Sequence, residues 1–370
     1  MRHARLTIGF ITALLAFGAA STGAQSPTTQ SFADASFASA QRPVAPSLLT
    51  WAPPSLSSPI TVPIRDTAQA APSLPNQNEH QPWVVQLAAG QDYVLDLNHR
   101  RNPDMGGLSI IGGRNVVIVG GEIEVLGMPD AESARRDALV FTDQTGVVHL
   151  EGVRVHGQPL RCLVFNSDQA IFQIENVRCD GIYMWQEDFS TAHSDSVITW
   201  KSPRALRFDK YTTDYDNTGV ALYGSNTGTF PAKANLKRVN FRNAPRFRGA
   251  GPYIYRSSLN TRLTLDRVYA ETGWGRASSG PWPMIGHVRS TLWQAFGGPD
   301  GGSRPIVRTV RGGVSPGSYI EFVAPRVDNI HGAKGSVGRV SFGVPPGGDF
   351  VPRGVAGTGY RTPGYVGMLR

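Results

Sequence analysis

Apolar and polar positions alternate down the middle of the chain in a recurring nine-residue phrase. It is apolar at its second, fourth and seventh places and polar at its third and fifth. The copies run Val147 to Val155 (VVHLEGVRV), Ile171 to Cys179 (IFQIENVRC), Ala205 to Thr213 (ALRFDKYTT), Lys233 to Phe241 (KANLKRVNF) and Arg262 to Ala270 (RLTLDRVYA). Such alternation predicts strands with one face in a core. The fourth-place residues Leu150, Ile174, Phe208, Leu236 and Leu265 lie 24, 34, 28 and 29 residues apart. A second apolar strand precedes each copy: Asp137 to Phe141, Arg161 to Phe165, Asp195 to Trp200, Thr218 to Tyr223 and Pro252 to Arg256. Two strands per repeat, with no helical period, predict a chain that stacks on itself.

In that arrangement the fourth-place column forms an internal stack, while His149, Gln173, Arg207, Asn235 and Thr264 share an outward third place. Gly152, Gly157, Asn176, Gly181, Gly219, Gly224 and Asn243 bracket the strands as turn residues. The entry segments Gly90 to Leu97 (GQDYVLDL) and Leu108 to Gly121 (LSIIGGRNVVIVGG) precede the first copy. With them, the chain resembles the pectin lyase-like superfamily over about residues 83 to 345. The resemblance implies an all-β fold, a single-stranded right-handed parallel β-helix. It does not fix a reaction, because that superfamily hosts lyases, hydrolases, esterases and non-catalytic adhesins.

The ends read differently. Arg2 and Arg5, an apolar run from Leu6 to Ala20 and small residues up to Ala24 predict a signal peptide over residues 1–24. The product is expected to be secreted or periplasmic and not inserted in a membrane. Residues 25–81 hold nine prolines and little charge, which predicts a disordered linker. Residues 82–345 are the β-helix domain, and residues 346–370, with seven glycines, an irregular tail packed on its outside. Removing the signal peptide lowers the formal charge from +8 to 36 − 2 − 28 = +6. That charge suits an acidic polysaccharide or a surface polymer as partner; no nucleic-acid recognition motif is present. Export would permit Cys162 and Cys179, the two cysteines, to pair as a disulfide, but they fall on different sides of one repeat, which favours two buried thiols.

One repeat breaks the spacing. Ile174 and Val197 are 23 residues apart, against 13 from Leu150 to Leu163 and 12 from Phe208 to Val220. The surplus is the stretch Asp180 to Ala192 (DGIYMWQEDFSTA), leading into His193-Ser194-Asp195. Loops on stacked repeats project from one edge, so this insertion would join the turns 212–217 and 242–251 along an edge spanning 180–251. Trp185, Glu187, Lys201, Asp214, Tyr215 and Asp216 are candidate sugar-binding residues there. His193, Asp195, Arg246 and Arg248 are candidate catalytic residues: elimination beside a uronic acid needs a base and a cation that steadies the resulting anion. No metal site is predicted, although Asp195, Asp214 and Asp216 would supply oxygen ligands if calcium took part. Asp195 matches the acid of the polygalacturonase Asn-Thr-Asp motif, but Val220 to Leu222 lacks that family's aspartate pair. A polysaccharide lyase is therefore favoured over a glycoside hydrolase, with a non-catalytic adhesive protein as the alternative.

Overall fold

The computed structural model describes residues 48–64, 83–97, 107–125, 137–182, 194–215, 218–222, 232–243, 253–257, 261–271, 284–287, 319–330 and 333–364. The predicted signal peptide lies outside them. The described residues are strands and connections, with no α-helix.

Numbered in chain order, the strands divide between two sheets. The first sheet contains β1 (Ile60–Pro63), β3 (Tyr93–Asp96), β5 (Val116–Val119), β8 (Val147–Glu151), β11 (Ile171–Cys179), β13 (Ala205–Tyr215), β15 (Ala232–Asn243), β17 (Thr261–Glu271), β19 (Tyr319–Ile330) and β20 (Ala333–Phe342), in that order. Two short strands, β6 (Glu122–Val125) and β9 (Arg154–Gly157), extend it alongside β11. The second sheet runs β2 (Trp83–Leu87), β4 (Leu108–Gly112), β7 (Asp137–Thr142), β10 (Arg161–Asn166), β12 (Asp195–Thr199), β14 (Thr218–Leu222), β16 (Tyr253–Ser257) and β18 (Met284–His287). From β10 to β19 the chain alternates between the sheets, and every pairing up to β17 and β18 is parallel.

The phrase aligns with itself in register: Leu150, Ile174, Phe208, Leu236 and Leu265 are successive partners and all are buried. Its odd spacing has a conformational cause. The sixth-place residues Gly152, Asn176, Lys210, Arg238 and Arg267 have φ of 64°, 55°, 53°, 51° and 54°, in the left-handed region. One residue is spent on that bend, so inward positions shift from even to odd: places seven and nine are buried in every copy, from Val153 and Val155 to Val268 and Ala270. The stacked rings of Phe165 and Phe172, 4.0 Å between centroids, fill the space between the sheets beside Phe141.

Three expectations require correction. The parallel order does not continue to residue 345, because β17–β19 and β19–β20 are antiparallel. Two residues separate β19 from β20, too few for the crossover that a parallel pair needs. The hairpin covers the edge of the last parallel strand of this sheet. Secondly, part of the predicted linker is built into the fold. β1 pairs with β3, and Leu49 and Ile64 are buried. Thr50 and Trp51 donate backbone N–H groups to the Glu175 carboxylate at 2.7 and 3.0 Å. Low hydrophobicity did not prevent order here, because a segment can dock on an existing sheet without building its own core. The third-place row is consequently closed to solvent at its start, where His149 and Gln173 are buried, while Arg207, Asn235 and Thr264 stay partly exposed; the Gln173 amide nitrogen faces His149 Nδ1 at 3.1 Å and the Ala52 carbonyl at 3.2 Å. Thirdly, Cys162 and Cys179 form a disulfide, with Cα atoms 6.3 Å apart, within the usual reach of such a bond. As the second residue of β10 and the last of β11, they link the two sheets across the interior.

The C-terminal stretch lies on the outside of the first sheet. Tyr360 donates its hydroxyl to Glu151 at 2.8 Å and accepts from Asn176 at 3.0 Å. Its ring lies on Gly152, where an added Cβ would come within 2.1 Å of Tyr360 Cδ1. Gly152→Ala should therefore lower unfolding stability by about 1–3 kcal/mol in a denaturant titration, through both ring displacement and the left-handed backbone. Adding Tyr360→Ala should shrink the further loss caused by Gly152→Ala, since the clash is then gone.

Candidate functional site

Register aligns three strand ends of the first sheet and three strand starts of the second. Cys179, Thr213 and Phe241 are successive partners near the ends of β11, β13 and β15, followed by the pairs Asp214–Arg242 and Tyr215–Asn243. The next strands of the second sheet begin at Asp195, Thr218 and Tyr253, which are also successive partners. These two rows of strand ends flank positions 183–193, 216–217 and 244–252, which lie outside the described residues. Trp185, Glu187, His193, Asp216, Arg246 and Arg248 lie outside the described residues, as does the side chain of Tyr215. The two rows flanking those connections can be described in detail.

In the departing row the eighth place of the phrase and the residue just past its end point away from the core, and charge stands at Arg178, Asp180, Asp214 and Arg242. Arg178 is buried and binds Asp180 with Nε at 2.9 and 2.8 Å from its two oxygens. Its Nη1 donates to Asp349 Oδ2 at 2.6 Å and to the Val351 carbonyl at 2.5 Å. Thr212 donates its hydroxyl to the other oxygen of Asp349. Arg242 is held more loosely: its guanidinium lies 3.3 Å from Asp214, 3.7 Å from Asp349 and 3.9 Å from Asp180, with a quarter of its side chain exposed. Asp214 also accepts the Gly181 N–H at 2.7 Å. Gly181 meets a close approach, since a Cβ there would stand 2.2 Å from the Gly157 carbonyl oxygen.

The two carboxylates of this row are driven apart electrostatically. Burial raises Asp214 to about 6, against the opposing attraction of Arg242 and the Gly181 N–H. Burial acts on Asp180 as well, but hydrogen bonding and charge from Arg178 outweigh it and hold that carboxyl below the usual range. Neighbouring carboxyl groups with divergent proton affinities can in principle serve as acid and base. Both groups are buried, which restricts their access to a polymer.

In the returning row Asp137, Arg161 and Asp195 are successive partners. Arg161 Nη1 stands 3.3 and 3.2 Å from the oxygens of Asp137, and its guanidinium carbon is 5.5 Å from the ring centre of Trp200, an exposed indole. Asp195 is buried at the start of β12. Lys201, beyond the far end of β12, is exposed and paired with Asp143 at 2.6 Å. The fold therefore places Asp195 and Asp214 on different sheets at one corner, and Lys201 at the opposite end of its strand. Asp195 and Asp214 are two of the three carboxylates proposed for calcium, and Asp216 lies outside the described residues. Among the described residues no group of three His, Cys, Asp or Glu side chains is placed to hold a metal ion.

Arg178, Asp180, Arg242 and Trp200 are residues of these rows that the repeat pattern alone does not single out. A signal exists for Asp180 and Arg242, which with Asp214 put charge just past the end of the phrase in three consecutive copies. Asp349 carried no such signal, since its role depends on where the tail docks. Comparison of the chain with protein-family profiles, curated proteins and solved structures gives no match.

Proposed function

We propose that this chain is an exported right-handed parallel β-helix of the pectin lyase-like kind that binds an acidic polysaccharide along the edge rooted in residues 180–251. The observation that supports the reading is the register alignment of three strand ends that carry an arginine–carboxylate row, including a carboxyl of raised proton affinity. Arginine suits the carboxylate of a uronic acid, and an exposed indole such as Trp200 suits the face of a sugar ring.

If the edge is catalytic, β-elimination fits the residues better than hydrolysis. A base removes the proton beside the uronate carboxylate, and a guanidinium steadies the anion that forms. The glycosidic C–O bond then breaks, its electron pair leaving on the oxygen, which takes a proton from water, while a C=C double bond forms in the sugar ring. His193 and Asp195, with Arg246 and Arg248, remain the proposed groups, and Asp214 with Arg242 joins them. Should Asp214 act as the base, turnover would fall as pH drops below about 6, because only its ionised form accepts a proton. The non-catalytic reading draws support from Arg178 and Arg242 being neutralised already by Asp180, Asp214 and Asp349.

Retention of the exported chain on immobilised pectate, alginate and glycosaminoglycans, with and without calcium, tests the proposal. Binding to at least one acidic polymer and none to a neutral glucan is expected. Failure to bind any acidic polymer would overturn it. Absorbance of unsaturated products then separates a lyase from a binding protein, and new reducing ends without unsaturation would mark a hydrolase.

A further inference from the structure

The tail residue Asp349 is recognised as a carboxylate ligand would be. Arg178 Nη1 donates to one of its oxygens at 2.6 Å, Thr212 donates to the other, and Arg242 lies 3.7 Å away. These residues come from three adjacent strands, β11, β13 and β15, and their outward position follows from the bend at the sixth place of each copy. The receptor is thus part of the regular stack, and its occupant comes from 107 or more positions further along the chain, 349 against 242.

A second, independent observation points to a ligand. Asn240, the register partner of Thr212 and two positions before Arg242, is fully buried, yet among the described residues neither its amide nitrogen nor its amide oxygen has a hydrogen-bond partner. Asp214 Oδ1 likewise has no hydrogen bond and only the 3.3 Å ion pair with Arg242. Buried amides are normally satisfied, and an orphaned one is destabilising. Donors, acceptors and a loosely held guanidinium are therefore grouped beside a carboxylate cradle. Asp349 satisfies the cradle and leaves Asn240 and Asp214 wanting.

We propose that Arg178, Thr212, Asn240 and Arg242 form a binding site for the carboxylate and adjoining hydroxyls of a uronic acid, and that Asp349 occupies its carboxylate subsite from within the chain. The inference rests on the acidic-polysaccharide reading and assigns that reading a specific sugar-binding position. Asp349 acts as a tethered competitor: a side chain attached to the same molecule has an effective concentration of roughly millimolar or more, so a single sugar must displace it to bind. A polymer carrying many carboxylates competes better than a monosaccharide for the same reason. Val351, whose N–H donates to Thr212 Oγ1 at 3.1 Å, would leave together with Asp349.

The test uses the full exported chain and two sugars differing in one group, galacturonic acid and galactose. Asp349→Asn keeps an oxygen acceptor for Arg178 and removes the competing charge. It should bind galacturonate about ten-fold more tightly than wild type in calorimetric titration, and Arg242→Gln in that background should abolish the gain; galactose should bind neither chain. On the wild-type chain, which needs no folding control, saturating oligogalacturonate should accelerate hydrogen exchange at the Val351 amide. A folded Asp349→Asn chain whose galacturonate affinity stays within two-fold of wild type, or which gains equally for galactose, overturns the proposal. So does unchanged Val351 exchange under saturating oligogalacturonate. Retention of wild type on acidic polymers with none of these changes would leave the function standing and the site refuted. Tighter galacturonate binding by Asp349→Asn without polymer retention would do the reverse.

Discussion

An Ile174→Asp chain is expected to lose cooperative folding. Ile174 sits in the middle of the fourth-place column, with Leu150 and Phe208 as its partners on either side. Strands in a sheet are about 4.8 Å apart, so an aspartate there meets hydrocarbon above and below it and the opposite sheet in front. Loss of the isoleucine side chain alone costs about 2–5 kcal/mol, and the unpaired carboxylate adds several more unless it takes up a proton. That sum rivals the roughly 5–15 kcal/mol by which domains are stable. Circular dichroism on heating should show no sharp transition for the variant. Lys233→Asp supplies the contrast within the same pattern: Lys233 is exposed at the start of its copy, and its replacement should shift stability by no more than about 0.5 kcal/mol. A wild-type melting point for Ile174→Asp would refute the column.

That column was legible in the sequence because stacking makes the same demand at the same place in each repeat. The strand pairs were legible for the same reason, and residues such as Val147 to Val155 read as a strand with one inner face. The left-handed bend was harder to read. Gly152 and Asn176 are residues that favour positive φ, but Lys210, Arg238 and Arg267 adopt it because the neighbouring strands impose it. Only the shift from even to odd inward places betrayed it. Long-range docking left still less trace. Leu49 is buried by contacts with residues far along the chain, and its backbone N–H donates to the Gly364 carbonyl at 2.8 Å. Nothing in the proline-rich composition around it announces that. The disulfide falls between these cases: the spacing of Cys162 and Cys179 suggested opposite sides of a repeat, and the narrow gap between sheets lets those sides meet.

Replacing Arg178 should be the most damaging change on the outside of the sheet. Its side chain is 2% exposed and answers three acceptors, Asp180, Asp349 and the Val351 carbonyl. Arg178→Met keeps much of the hydrocarbon and removes the charge, so the packing changes little while two carboxylates lose their main partner. Breaking a buried pair in this way costs about 3–5 kcal/mol, because the surviving charges remain desolvated. The loss should depend on pH in a definite direction. In the wild type Asp180 is held below its usual proton affinity, so its contribution is present above the unfolded carboxylate range and lost as pH falls. Without Arg178, burial becomes the dominant influence and raises Asp180 instead; that contribution is present in acid and lost as pH rises. The stability gap between wild type and variant should therefore widen from about pH 4 towards pH 7. Adding Asp180→Asn and Asp349→Asn should recover much of the loss, since the buried charges that needed Arg178 are then gone. Denaturant titrations of the three chains at both pH values check this. A gap independent of pH would mean that Arg178 stabilises the sheet through packing of its stem rather than through its charge.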